Sequence, residues 1–284
     1  MSVSDFYRDY VGTRPAVFTP YNHEQWSLED WSEAEICRLA GHAQVRVRPA
    51  SENYHAYEGA TERMSLSQYL TYIKEWQNKD KKPDILPPYA QDTLLLREAL
   101  QIKEKFRSFP FLHLSEWYQR VWEDYPCFFF GSPGNVTPLH LDNCETHNLF
   151  FQVRGTKKFF IVQGKDIPHC YRVGWRRSKI DARHVDYNEY PWFANATVYE
   201  LDIQPGEVLY MPPVTWHQTY ATETNVSFNL DFHTTRSAVG GVFAMFRGMP
   251  PSLALFYNLP HALGLVSGLP LRGLIRTFQE SVLM

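Results

Sequence analysis

Cysteine is scarce in this chain: Cys37, Cys127, Cys144 and Cys170 are the only four, with no CxxC pair and no regular spacing. That argues against a zinc knuckle or a disulfide framework and fits a reducing, intracellular setting. Excess charge of either sign is also missing. With 28 Lys and Arg against 31 Asp and Glu, the net charge of −3 gives no broad basic field, so electrostatic capture of nucleic acid is disfavoured. The opening MSVSDFYRDYVGTRP carries acidic residues and no apolar segment. Neither a signal peptide nor a transmembrane anchor is expected, and the cytoplasm is the expected location. A long uncharged stretch, Gly248–Leu271, is broken by Pro250, Pro251, Pro260 and Pro270, with Asn258 and His261 near its middle. A lone helix in lipid tolerates such breaks poorly, so short helices packed on protein are expected, with peripheral membrane contact as the alternative.

What is present builds a core. A hydrophobic fraction of 44% over 284 residues suffices for a substantial globular interior. In the first hundred residues, Ser27 precedes LEDWSEAEICRLAG, with Asp30 at the capping-box position and Gly41 as a stop. Ser65 likewise precedes LSQYLTYIKEW, with Gln68 at the same position, so two helices are expected. Between them AQVRVRPA alternates apolar and charged residues, as a strand with one exposed face does. From Tyr125 onward the runs CFFFGS, HNLFFQV, KKFFIV, TVYELDI, GEVLYM and VSFNLDFH are short, aromatic and β-branched. Turn residues such as Ser132-Pro133-Gly134, Gly155-Thr156 and Pro205-Gly206 separate most of them, a pattern that suggests a sandwich, barrel or jelly roll. The polar segment 163–197 holds Arg172, Arg176, Arg177, Lys179 and Arg183. It reads as a basic lid or binding loop, or as a solvated insertion. At the end, LRGLIRTFQESVLM places Leu271, Leu274, Ile275, Phe278 and Val282 on one helical face, to pack on the core or to join two copies as a homodimer.

Within NVTPLHLDN, His140 and Asp142 stand two residues apart in a run that otherwise reads as a strand. Alternation with period two turns both side chains to one face. A neutral nitrogen donor and an anionic oxygen converging on one point suit a metal ion. His217, in PGEVLYMPPVTWHQTYA, begins the run after a Pro-Gly turn, a strand and a Pro-Pro stop, and is the best placed third ligand. Two histidines and a carboxylate on one face of an octahedron form the triad of non-haem Fe(II) oxygenases. His-x-Asp also occurs by chance, and a lone histidine is usually a hydrogen-bonded core or surface residue. His147 lies an odd number of residues from Asp142 and points to the opposite strand face, while His169, His184 and His233 read as loop or surface residues. Trp216 either orients His217 or belongs to the core.

Taken together, GNVTPLHLDNCETHNLFFQVRGTKKFFIV, YPWFANATVYELDIQPGEVLYMPPVTWH and NVSFNLDFH resemble the JmjC-type, cupin-like Fe(II)/2-oxoglutarate dioxygenases, in particular their small hydroxylase branch. With RPAVF, VRVRPA and MSLSQYL the likeness spans most of residues 13–236. It implies a mainly β fold with flanking helices: a double-stranded β-helix (jelly-roll) core with helical N- and C-terminal additions. One domain over 1–284 is expected, with a mixed lead-in at 1–124, the core at 125–235 with its lid at 163–197, and C-terminal helices at 236–284.

The resemblance further implies that His140, Asp142 and His217 bind Fe(II). By the same likeness, Lys157 pairs with the far carboxylate of the co-substrate 2-oxoglutarate, Thr137 and Tyr89 bond that carboxylate, and Asn148 and Asn229 lie near the co-substrate and metal, with O2 as the other co-substrate. Charge bookkeeping is consistent with it, since Fe(II), Asp142 and a dianionic keto acid leave an excess anion that a buried cation at Lys157 would balance. Relatives act on protein side chains, small metabolites or modified nucleosides. Hydroxylation of a peptide or amino-acid-derived side chain is the expected reaction. Lysine demethylation and nucleoside hydroxylation are alternatives, and a non-catalytic cupin-like binding or scaffold protein is the alternative from another class. Zinc is disfavoured for want of a third nitrogen or sulfur ligand nearby.

Overall fold

A computed structural model describes residues 3–19, 31–52, 54, 61–79, 85–102, 114–162 and 164–283. In chain order it begins with helix α1 (Val3–Asp9), strand β1 (Ala16–Phe18), α2 (Glu33–Ala40), β2 (Gln44–Arg48), β3 (Glu62–Ser65), α3 (Leu66–Gln77) and β4 (Tyr89–Thr93). Two single turns, α4 (Leu95–Glu98) and α5 (Glu116–Gln119), lead into β5 (Pro126–Gly131), β6 (Val136–His140), β7 (His147–Arg154) and β8 (Lys157–Val162). Next come β9 (Arg172–Val173), β10 (Arg177–Ser178), β11 (Val198–Ile203), β12 (Val208–Met211), β13 (Trp216–Ala221) and β14 (Asn225–Phe232). The chain finishes with α6 (Thr235–Phe243), the short α7 (Pro251–Leu253), α8 (Leu259–Ser267) and α9 (Arg272–Leu283).

The strands form two sheets, ordered β1-β12-β7-β14-β5-β4-β2-β3 and β11-β8-β13-β6-β10-β9. From β5 to β8, and again from β12 to β14, consecutive strands fall in opposite sheets, which is the winding of a double-stranded β-helix. The sequence makes this possible because both faces of the central strands are apolar. Along β7, Leu149, Phe151 and Val153 pack outward with Trp31, Phe128 and Phe228, while Phe150 turns inward against Phe159, Ile161 and Met211. Helices α2 and α3 cover the outer face of the first sheet through Ile36, Leu66, Tyr69 and Ile73.

Helix α3 starts as expected: Ser65 Oγ accepts from Gln68 N at 3.2 Å, and Gln68 Oε1 accepts from Ser65 N at 2.8 Å. Ser27 and Asp30 lie outside the described residues, and the helix they were read to begin starts at Glu33, capped by Ser32. The polar side of β2 opens to water only at its start, with Gln44 exposed, Arg46 half-buried and Arg48 buried. Arg48 is 1% exposed and both terminal nitrogens donate to Val136 O at 3.2 Å, because the lead-in strands continue the first sheet and tuck Arg48 beneath β6.

The segment 163–197 is structured where it is described. Strands β9 and β10 extend the second sheet beside β6, and Cys170, Ile180 and Phe193 pack with Leu139, Val162 and Trp216 on that sheet's outer face. Trp216 is therefore core. On α9, Ile275 is buried with Tyr257 and Met249 and Phe278 packs beside it, whereas Leu274 is 63% exposed, so the stripe read from the sequence splits between core and solvent. The side chain of Val282 lies outside the described residues. No helix among the described residues is long and apolar enough to cross a membrane.

One turn is decisive for joining the sheets. Gly155, between β7 and β8, has φ +68°, and a Cβ there would sit 2.3 Å from Thr224 O. Gly155→Ala will destabilise the fold by more than about 1 kcal/mol, read as a lowered urea midpoint at unchanged slope.

Candidate metal centre and pocket

All five residues of β6 are buried, and the chain leaves the strand through Leu141 to Asp142, which remains extended at φ −64°, ψ 146°. His140 and Asp142 thus keep a common side. The turn that follows needs two left-handed non-glycine residues, Cys144 at φ 68° and Glu145 at φ 54°. The C-terminal helices hold it there: Arg247 donates to Glu145 Oε1 at 2.6 Å, and Gly241 approaches Cys144 O so closely that a Cβ would lie 2.9 Å away.

Strand β13 brings His217 directly opposite His140, with ring centroids 4.3 Å apart. His140 Nε2 and His217 Nε2 lie 3.7 and 3.6 Å from Asp142 Oδ1. Among the described residues this is the one set of three or more His, Cys, Asp or Glu side chains whose ligand atoms all lie within 4.8 Å of one another. The other ring nitrogens fix the tautomers. His140 Nδ1 is 2.8 Å from Pro138 O and His217 Nδ1 is 3.2 Å from Thr215 O, and a carbonyl can only accept, so both Nδ1 atoms carry a proton and both Nε2 atoms face Asp142. Asn148 Nδ2 donates to Asp142 Oδ2 at 2.9 Å, leaving Oδ1 to face the histidines. Burial, then His217, Arg177 and Arg176, hold His140 well below the usual imidazole range, in the neutral form a metal requires. The donor set fits a divalent iron, with three protein ligands on one side of the site.

Beside the triad a cavity of about 360 Å³ is lined by Tyr89, Thr137, Asn148, Lys157 and Asn229 among others. Lys157 is buried at its wall, and its Nζ donates to Ser227 Oγ at 2.8 Å and Tyr89 Oη at 3.3 Å. The rings of Phe150 and Phe129 flank it at 5.1 and 5.4 Å. Among the described residues no carboxylate pairs with it, and desolvation lowers its pKa to about 7. Asn148 Oδ1 and Asn229 Oδ1 are buried without a hydrogen bond inside the protein. Such a lining presents a cation and unsatisfied acceptors to whatever enters.

His140, Asp142, His217, Lys157, Thr137, Tyr89, Asn148 and Asn229, the residues the resemblance assigns to the site, all line this cavity. Thr137 does so against simple alternation, being three positions from His140. The pairing of β6 with β13 slips between His217–His140 and Thr219–Thr137, so an extra residue on β6 rephases the strand and both side chains face in. Sequence reading missed Ser227, Asp231, Tyr125 and Arg46, and named Arg176 and Arg177 only as part of a basic lid or binding loop, not beside the triad. Ser227 and Asp231 were legible, since with Asn229 they are alternate polar residues within the otherwise apolar VSFNLDFH. Arg177 was not, because only the pairing of β10 with β6 sets it opposite His140. His147 is buried away from the triad with Nδ1 2.7 Å from Tyr210 Oη, and burial lowers its pKa to about 4. His169 and His184 lie in the segment between β8 and β11. His233 corrects the surface reading: it is buried, with Nδ1 3.0 Å from Ser237 Oγ and Nε2 3.0 Å from Asn258 Oδ1, because α6 and the stretch before α8 fold over it.

A family model described as a cupin-like domain matches residues 3–237. Jumonji C domain-containing protein 5 of Drosophila melanogaster is 27% identical over 220 residues, 74% of this chain and 52% of that protein. Lysine-specific demethylase 8 of Xenopus tropicalis is 27% identical over 237 residues, 80% of this chain and 50% of that protein. The tRNA wybutosine-synthesizing protein 5 of Gallus gallus is 27% identical over 165 residues, 58% of this chain and 47% of that protein. The chain spans about half the length of these relatives.

Proposed function

The chain belongs to the cupin-like domain family, and from that premise we propose that it is an Fe(II)- and 2-oxoglutarate-dependent oxygenase that hydroxylates a C–H bond of a peptide or amino-acid-derived side chain. The observation that carries this reading is the convergence of the ligand atoms of His140, Asp142 and His217 beside a cavity whose wall holds a buried lysine with no carboxylate partner among the described residues. Bound iron would supply oxidative chemistry there: one atom of O2 goes into the substrate C–H bond and the other into succinate, as 2-oxoglutarate loses CO2.

The protein's own tasks are binding, orientation and charge. Lys157 faces the distal carboxylate of the keto acid, with Tyr89, Ser227 and Thr137 donating to the same group. Asn148 fixes the free oxygen of Asp142, and the two backbone carbonyls fix the imidazole planes. In this reading residues 1–284 act as one unit. The lead-in 1–124 contributes Tyr89, the core 125–235 the triad and Lys157, and the helices 236–284 close the cavity with Leu253, Tyr257 and Phe278. All four cysteines are free, which suits a cytoplasmic protein.

Lys157 gives the reading a pH signature. With a pKa of about 7 when the cavity holds no anion, most of its amine is neutral at pH 8, and a carboxylate arriving beside it restores the ammonium form. Binding of 2-oxoglutarate to the iron-loaded protein at pH 8 will therefore take up roughly one proton, falling toward zero by pH 6, where the amine is already charged. Calorimetry in buffers of different ionisation enthalpy reads this number directly. Anaerobic addition of Fe(II) and 2-oxoglutarate tests the assignment itself: a visible charge-transfer band should require both. A protein that gave no band with both, or the same band with Fe(II) alone, would not have this site.

A further inference from the structure

Behind the cavity wall runs a chain of aromatic rings in contact. Among the described residues three tyrosines line the cavity, Tyr89, Tyr125 and Tyr257, and Tyr125 is the one whose hydroxyl meets an imidazole: its Oη lies 3.0 Å from His261 Nε2. The direction of that bond is fixed by the other ring nitrogen. His261 Nδ1 is 2.7 Å from Tyr257 O, and a carbonyl can only accept, so Nδ1 carries a proton. Burial lowers the pKa of His261 to about 4, which keeps the ring neutral, and Nε2 therefore offers a lone pair that accepts from Tyr125. Tyr125 thus stands between the cavity and a buried base.

From Tyr125 the rings continue to solvent. Its centroid is 5.0 Å from that of Tyr118, and Tyr118 is 5.0 Å from Trp117. Trp117 also lies 5.6 Å from His261, so it touches both rings that flank Tyr125. These are the spacings of aromatic rings in edge contact. Tyr118 is buried, whereas Trp117 is half-exposed. Helix α8 and the residues after it pin the indole: Nε1 donates to Leu269 O at 3.1 Å, and a Cβ on Gly264 would sit 2.7 Å from the ring. Packing alone asks only that a buried tyrosine find a partner, and Tyr210 does so with His147 at 2.7 Å, outside the cavity lining. The Tyr125 pair differs in joining the cavity to the surface. The cavity holds side chains that such a route would protect, since Cys127, Cys144 and Met211 line it, and thiols and thioethers oxidise readily.

We propose that Trp117, Tyr118, His261 and Tyr125 form a route by which electrons from solvent reach the metal centre when 2-oxoglutarate is consumed with no C–H bond in place, sparing the cavity from oxidation; the inference rests on the oxygenase reading. In each passage Tyr125 gives one electron to the centre and its phenolic proton to His261 Nε2, leaving a neutral phenoxyl radical. An electron from Trp117, handed on through Tyr118, refills the phenoxyl, and the proton returns from His261. The indole radical cation is then reduced at the surface by a soluble thiol. Two passages consume the two oxidising equivalents left by decarboxylation, and two thiols end as one disulfide. The oxygen atom not placed in succinate leaves as water, with two protons drawn from the solvent to which the thiols release two.

Turnover of the Fe(II)-loaded full chain with 2-oxoglutarate, O2 and dithiothreitol, and no other substrate, tests the route. Trp117→Phe should release succinate at the wild-type initial rate but lose activity severalfold sooner per succinate formed, with one-oxygen mass additions on the peptides holding Cys127, Cys144 and Met211. Trp117→Tyr, which keeps an oxidisable ring, should restore the wild-type lifetime. Wild type frozen during the same turnover without the thiol should show an organic radical by electron paramagnetic resonance, narrowed by ring-deuterated tyrosine and missing in Tyr125→Phe. Equal lifetimes for wild type and Trp117→Phe overturn the proposal, and so do Trp117→Phe and Trp117→Tyr variants that fail alike, since that is a packing role. Should Trp117→Phe not fold, the radical decides: none in wild type, or one that survives in Tyr125→Phe, overturns it. Any of these results with normal succinate release sinks the route alone, whereas no succinate from wild type removes the oxygenase reading and the route together.

Discussion

His140→Ala will lose the Fe(II)/2-oxoglutarate absorption band and reduce succinate release by at least about 10³-fold, since a metal's several kcal/mol of activation corresponds to that many decades. The loss follows from the geometry rather than from unfolding. Removing the imidazole that donates to Pro138 O takes a donor from a buried carbonyl and leaves a small void beside β6, which costs on the order of 1–3 kcal/mol, while the two sheets stay packed by Phe128, Phe151 and Phe228 on one side and Trp216 on the other. What goes is one of three ligand atoms held within 4.8 Å of each other, and neither His217 nor Asp142 can substitute for it from its place in the fold. Bound iron after anaerobic dialysis and succinate release should fall together. A variant that kept its iron and turned over within tenfold of wild type would take the metal away from this triad.

The sequence makes the metal side of the site legible and the rest only partly so, for reasons of distance along the chain. His140 ends β6 and Asp142 follows two residues on in still-extended backbone, so alternation alone places them together, and a Pro-Pro stop marks the approach to His217. Thr137 sits beyond the reach of alternation because a bulge rephases β6, an event set by how β13 pairs with it. Tyr89 reaches Lys157 across 68 residues through the order β4-β5-β14 in the first sheet, which no local pattern announces. Arg48 and His233 were read as exposed from their polarity. Both are buried, one because the lead-in extends the main sheet and the other because the C-terminal helices fold back over β14. Local periodicity predicts strands and helices well here. It does not say which elements cover which faces, and burial of a polar residue depends on that.

Lys157→Met will move stability and co-substrate affinity in opposite directions. The ammonium form of this lysine is penalised by burial, with a pKa lowered from 10.5 to about 7, so at neutral pH and below the folded protein bears most of that penalty. Methionine fills similar space without a charge and should raise the urea midpoint, by an amount on the order of a few kcal/mol at most, since Tyr89 and Ser227 each lose a hydrogen-bond partner. The sign with pH is fixed by linkage. Between about pH 7 and 10.5 the unfolded chain binds more protons than the folded one, so the wild type gains stability as pH rises, and the advantage of the variant shrinks across that window and is gone above it. The keto acid sees the reverse. Its distal carboxylate would then be buried against a thioether, and losing the partner of a buried charge costs about 3–5 kcal/mol, which raises the half-saturating 2-oxoglutarate concentration on the order of 10²–10³-fold. A 2-oxo acid with an apolar end in place of that carboxylate, such as 2-oxopentanoate, should suffer no such loss and become the better co-substrate of the variant. A stabilised variant that still bound 2-oxoglutarate at wild-type affinity would mean that the buried amine serves some other group, and the distal carboxylate would have to be held elsewhere in the cavity.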